Sequence, residues 1–108
     1  MALRLEDYTV DVFLSRQGQV FTFDDGSGQP ASLELIEVVR LRPPTAAVAG
    51  LRAEPFSLLF RGLDNQVLRS DQPTILEPGF EPCVVFLPRI MPPPGQPANA
   101  AYYQAIFT

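Results

Sequence analysis

The side chains that do most protein chemistry are nearly missing from this chain. Its 108 residues include no histidine and one cysteine, Cys83, and all 8 basic residues are arginine. Without histidine there is no ordinary general base, no Ser-His or Cys-His nucleophile pair, and none of the commonest zinc ligands. Without lysine there is no Schiff-base chemistry and no Walker-type phosphate site. Carboxylates remain. Asp24-Asp25 in "DDGSG" has the look of a calcium loop, but the alternating acids and the distal glutamate of such a loop are lacking, so a solvated hairpin tip is expected. Glu34 and Glu37 read as solvent-facing strand residues, and Glu77 and Glu81 flank the tight turn "PGF". Cys83 opens an apolar run, where a free cysteine usually packs as a small core residue. The expectation is a protein that is not an enzyme and that holds no cofactor and no metal.

Arg61 has two readings. It sits between Phe60 and Gly62 in an otherwise apolar strand. Either its stem lies over an apolar face with the charge in water, or its planar fork pairs with a carboxylate as an anchor or interface arginine.

Partner classes follow from charge. The formal net charge is -4, and the arginines are scattered from Arg4 to Arg89 with no basic run. No nucleic acid partner is expected, because such partners select a clustered basic footprint. A basic membrane-surface helix is disfavoured for the same reason. No stretch approaches the roughly 18 apolar residues of a membrane span. Arg4, Glu6 and Asp7 fall where a signal peptide needs its apolar region. Cytoplasmic synthesis without a signal peptide is expected, and later release within a larger particle is compatible with it.

The elements that must position these residues read as mostly β, in a single domain over 1–108. The 12 prolines, several in pairs or triplets, break helices and cap strands. Residues 3–14 fit a short N-terminal helix with Leu5, Tyr8, Val12 and Phe13 on one face, although Tyr8, Val10, Val12 and Leu14 also alternate as in a strand. Strands are expected at 19–25, 31–42, 55–62, 73–79, 83–90 and 101–107. In the second, the alternation slips at Ile36-Glu37, which predicts a β-bulge. Residues 43–54 form a long connection, and a turn is expected at Asp64-Asn65. About six antiparallel strands in meander order would make a small rolled sheet, a sandwich or a partly open barrel.

"FSLLF", "VVFL" and "AIF" carry apolar side chains on both faces, whereas an antiparallel sheet with one wet face alternates cleanly. A second cover is therefore expected, from the N-terminal segment or from a protein partner, which includes another copy of the chain itself. With Phe56, Leu58 and Phe60 facing the core, Leu59 and Arg61 are the candidate interface residues, joined by Tyr8, Tyr102 and Tyr103. The same three tyrosines are candidates to line a small ligand-binding β-barrel, the alternative reading.

The order "LEDY", "QVF", "LELIEV", "PFSLLFRG", "QPTILEP", "VVFLPRI" and "YYQAIF" resembles a family of small bacterial domains of unknown function. Its pattern runs L-E-D-F, L-E-L-x-x-V, P-F-S-L-L-F-R-G, Q-G-x-Y-x-L-E-H-P, L-F-L-V-P-V and Y-x-A-x-F. Pro55 to Gly62 is the most specific part. Pro73 and Ile75 depart from it, standing where the family has glycine and tyrosine. Members are encoded beside phage tail-collar proteins of the microcystin-dependent type. The resemblance implies a structural or accessory subunit of a phage tail-like or fibre-like assembly, with a tail-collar-type fibre subunit as partner.

Overall fold

The hairpin at the centre of the sheet is set by its turn. β1 (Val20–Asp24) and β2 (Pro30–Arg40) pair antiparallel, with Phe21 opposite Leu33 and Phe23 opposite Ala31. Between them Asp24 Oδ1 accepts the Gly26 N–H at 2.9 Å and Asp25 Oδ1 accepts the Ser27 N–H at 3.0 Å. Gly26 and Gly28 take φ of +86° and +89°, a region open to glycine. This is the computed structural model of the chain, and it describes residues 2–41, 55–63 and 67–107. The long connection at 43–54 and the turn at Asp64-Asn65 lie outside the described residues.

β3 (Phe56–Gly62) pairs with β2, and the register shifts between Leu35 and Glu37. The β-bulge read from the sequence is thus present. It keeps Leu33 and Leu35 before it, and Val38 after it, on the Phe56 side. The remaining strands are β4 (Thr74–Ile75), β5 (Cys83–Val84), β6 (Arg89–Ile90) and β7 (Tyr102–Phe107). Among the described residues the seven strands form one antiparallel sheet, in the order β5-β4-β1-β2-β3-β7-β6. The order is a meander only through β1, β2 and β3. The chain then crosses to the far side of β1 for β4 and β5, and returns beside β3 as β6 and β7.

That order forces curvature. β5 and β6 are the two outer strands of the sheet, yet only Val85–Pro88 separates them. An extended chain from Val84 to Arg89 spans no more than about 17 Å. The sheet must therefore curl until its edges nearly meet, which gives a half-barrel. Val85 N–H donates to Pro73 O (2.9 Å) and Leu87 N–H to Asp71 O (2.7 Å), which prolongs the β4–β5 ladder. Gln104 N–H then donates to Pro88 O at 3.1 Å, which begins the β6–β7 pairing. The strand expected over 83–90 is one extended run that changes partner at Pro88. Proline has no N–H to continue the first ladder, so two short strands result.

The N-terminal segment closes the inner face. A 3-10 turn (Leu5–Asp7) leads to α1 (Val10–Leu14), whose first turn is capped by Thr9 Oγ1 accepting from Val12 N–H at 3.4 Å. Tyr8 and Thr9 are extended, so the two turns are out of phase. The buried face is consequently Tyr8, Val10 and Phe13, while Leu5 is exposed and Val12 only half-buried. Phe13 packs among Phe21, Phe56, Phe80 and Phe107, and Tyr8 meets Phe13, Phe80 and Phe107 edge-on. A five-residue helix has no stability of its own, so this aromatic packing holds it. Leu3 adds a parallel bridge to Phe80, with Leu3 N–H on Gly79 O and Glu81 N–H on Leu3 O.

Candidate functional site: the outer face of the sheet

Side chains alternate across a strand, so every residue between the core positions points to the outer face. One rung crosses five strands there: Val20, Glu34, Arg61, Tyr102 and Ile90, each opposite the next. At its centre Arg61 Nη2 donates to Glu34 Oε1 at 2.6 Å. Both side chains are about a quarter to a third exposed (30% and 26%), so the pair forms part of the surface. The Glu34 hydrogen bond raises the Arg61 pKa further above its already high ordinary value, and the guanidinium is a fixed charge. This pairing with a carboxylate realises the second reading of Arg61. Tyr102 is fully buried on the same side, and its hydroxyl donates to Pro97 O at 2.7 Å. The 91–101 loop is thus tied over one end of the rung.

Beyond Arg61 the outer face mixes polar and apolar side chains. The next rung is Glu37, Leu59 and Gln104, and the last is Val39, Ser57 and Ile106. Val39 and Ile106 are exposed (37% and 58%) on either side of buried Ser57. Tyr8, Val10 and Phe13 pack on the opposite, inner face, so α1 does not cover Leu59 or Arg61. Of the five residues singled out by sequence, Leu59 and Arg61 lie together on this face. Tyr8 and Tyr103 belong to the core instead, and Tyr102 lies under the proline loop. The Tyr103 hydroxyl accepts the Leu68 N–H at 2.8 Å, and the Tyr8 hydroxyl lies 3.5 Å from Cys83 Sγ. Burial, reinforced by Cys83, pushes the Tyr8 phenol well above its ordinary pKa and keeps it protonated. Val39 and Ile106 were missed by sequence, although Ile106 stands between inward-facing Ala105 and Phe107 and its outward direction follows from that alternation.

The carboxylates are dispersed. Glu81 pairs with Arg4 at 3.4 Å and Asp11 with Arg40 at 3.5 Å, both at the surface. Among the described residues no three His, Cys, Asp or Glu side chains converge to hold a metal ion. An open cleft of about 270 Å³ lies at the β1–β2 tip, lined in part by Asp25, Gln29, Val67 and Arg69, and none of the three tyrosines lines it. Asp25 is occupied there: its Oδ2 accepts the Arg69 N–H at 2.9 Å while Oδ1 takes Ser27.

The Ser27 hydrogen bond, followed by the Arg69 N–H, holds the Asp25 carboxyl below its usual pKa. A depressed carboxylate stabilises the fold fully above its unfolded value of about 4, and that stabilisation is lost as pH falls through the depressed folded value. Asp25→Asn lacks this titration. The expected outcome in thermal melts is a variant less stable than wild type at pH 7, with a gap that closes on acidification below about pH 4. A gap independent of pH would show that Asp25 carries no tether.

The fold and this face define a small, curled β half-barrel whose outer surface is part ion pair, part apolar. No helix among the described residues is long and apolar enough to cross a membrane. A family model, domain of unknown function DUF6916, matches residues 8–107, and the chain belongs to that family. No curated protein and no solved structure matches the chain.

Proposed function

We propose that this protein is a non-enzymatic structural or accessory module that binds another protein through the outer face of its sheet. The observation that carries the reading is the set of exposed apolar side chains at one end of that face. Leu59 lies on the rung next to the Arg61–Glu34 pair, between Glu37 and Gln104, and exposed Val39 and Ile106 lie on the rung after it, either side of Ser57. Exposed apolar side chains beside a charged, hydrogen-bonded arginine occur in protein–protein contacts. The scarcity of catalytic side chains agrees with a binding role. The partner proposed is a tail-collar-type fibre subunit of a phage tail-like assembly, on the strength of the sequence resemblance. The test is affinity capture of co-encoded tail-collar-type proteins by the purified chain. Wild type is expected to retain the fibre subunit, and Val39→Lys with Ile106→Lys to lose it by about tenfold or more while folding normally. Equal capture by both, or none by wild type, would refute the reading.

A further inference from the structure

The cleft at the β1–β2 tip takes no part in the outer face. One wall is the hairpin end, from Asp25 to Ala31, and the other holds Val67 and Arg69. Hydrogen bonds set both walls. Ser27 N–H donates to Asp25 Oδ1 at 3.0 Å and Gln29 N–H to Ser27 Oγ at 3.4 Å. Across the cleft the Arg69 N–H donates to Asp25 Oδ2 at 2.9 Å, and the neighbouring Leu68 N–H to the buried Tyr103 hydroxyl at 2.8 Å. The cleft is thus formed before any guest arrives, and a guest has little loop to order. It carries one charge of each sign. Asp25 is half-buried, and Ser27 and the Arg69 N–H keep its carboxyl ionised at neutral pH. Its two backbone hydrogen bonds fall one on each oxygen, which leaves each a further lone pair. Arg69 meets Asp25 through its backbone and not through its side chain. The exposed guanidinium has no hydrogen bond or ion pair among the described residues. Pro30, Ala31 and half-exposed Val67 supply the apolar lining.

We propose that this cleft binds a free α-amino acid with an apolar side chain, its ammonium on Asp25 and its carboxylate on Arg69. A guanidinium takes a carboxylate through two parallel N–H donors. An ammonium is a donor only, and the spare lone pairs of Asp25 are acceptors. A guest with both charges satisfies both walls and adds no net charge. A simple anion meets repulsion from Asp25, and a simple cation meets it from Arg69, so the pair of charges selects a zwitterion over either. The guest's side chain rests on the apolar lining. At about 270 Å³ the cleft lies below the roughly 300–1,000 Å³ of sites for drug-sized ligands, which suits a guest this small. The cleft is open to water, so binding is weak, with a dissociation constant on the order of 1 mM.

Amide chemical shifts in an NMR titration with L-leucine, up to about 50 mM, test it. Saturable shifts are expected at the Ser27, Gln29, Ala31, Val67 and Arg69 amides. N-acetyl-leucine lacks the ammonium and leucinamide lacks the carboxylate, and each is expected to bind the wild-type chain at least about fivefold more weakly. Arg69→Gln is the matching variant. It keeps the backbone N–H on Asp25, so the melting temperature is expected to hold. Leucine affinity is expected to fall at least about fivefold, while leucinamide affinity stays unchanged. No saturable shift up to about 50 mM, equal affinity for the three compounds, or a leucine affinity indifferent to Arg69→Gln overturns the proposal. The inference goes beyond the partner-binding reading and stands apart from it, since Val39→Lys with Ile106→Lys is expected to leave leucine binding unchanged. A chain that binds leucine but captures no fibre subunit upholds this one alone, and the reverse result upholds the other.

Discussion

Replacing Phe13 with alanine is expected to cost about 3–5 kcal/mol, a large fraction of the stability of a domain this size. Phe13 is 1% exposed, and its ring centroid lies 5.2 to 6.3 Å from those of Tyr8, Phe21, Phe56, Phe80 and Phe107. Its ring joins the N-terminal segment, strands β1, β3 and β7, and Phe80 of the 79–81 turn at once. Removing it leaves a cavity ringed by rigid aromatics, which collapse poorly, so the cavity cost adds to the lost burial. It also removes the reason for α1 to exist, since five residues cannot sustain a helix alone. Against a total stability of about 5–15 kcal/mol, the melting temperature should drop by on the order of 15–25 °C. Urea unfolding checks the result, with the midpoint falling at similar slope. Leu14→Ala, one residue further on and exposed, is the control and should change stability by less than about 0.5 kcal/mol. A loss at Phe13 of under about 1 kcal/mol would mean that α1 is not the lid of the half-barrel.

Phe13 also marks how far sequence reading reaches. Its burial was legible from helical spacing, and so were the alternation of Phe21 and Phe23 and the bulge at Ile36-Glu37. Period and β-branching are local properties, and a strand declares them within a few residues. The partner of each strand is not local. Nothing in "CVVFLPRI" says that its first half belongs to β4 and its second to β7, because that depends on where the curl brings β7. Pro88 was the available clue, a missing donor in the middle of an apolar run. Tyr8, Tyr102 and Tyr103 show the other limit. Tyrosine is amphipathic, so sequence cannot separate a surface tyrosine from a buried one whose hydroxyl finds a partner. All three are buried here, each with its hydroxyl placed against Cys83 Sγ, Pro97 O or Leu68 N. The outward placement of Leu59 and Arg61 was legible because they alternate with Phe56, Leu58 and Phe60, whose inward direction was plain.

Tyr103→Phe is the second substitution with a large expected effect, although it deletes a single oxygen. That oxygen accepts the Leu68 N–H at 2.8 Å, and both residues are buried, at 2% and 8% exposure. Phenylalanine keeps the ring in the core, opposite Phe60 in the strand register, so hydrophobic burial is nearly unchanged. What remains is a backbone donor shut away from water with nothing to receive it, at a cost of about 1–3 kcal/mol. The loss also reaches further. Residues 68–73 are held on one side by Tyr103 and by Asp25 on Arg69, and on the other by Val85 and Leu87. They form the wall to which the 83–87 run is bonded before it passes to β7. Freeing Leu68 should therefore speed amide exchange at Val85 and Leu87 as well as at Leu68 itself. Tyr102→Phe provides the contrast on the neighbouring residue. Its hydroxyl is the donor and its acceptor, the Pro97 carbonyl, lies in an exposed loop where water can replace it, so a loss below about 1 kcal/mol is expected. Equal losses at the two tyrosines would show that ring packing, not the buried Leu68 donor, decides both, and that the link between β7 and the 68–73 wall does not hold the half-barrel closed.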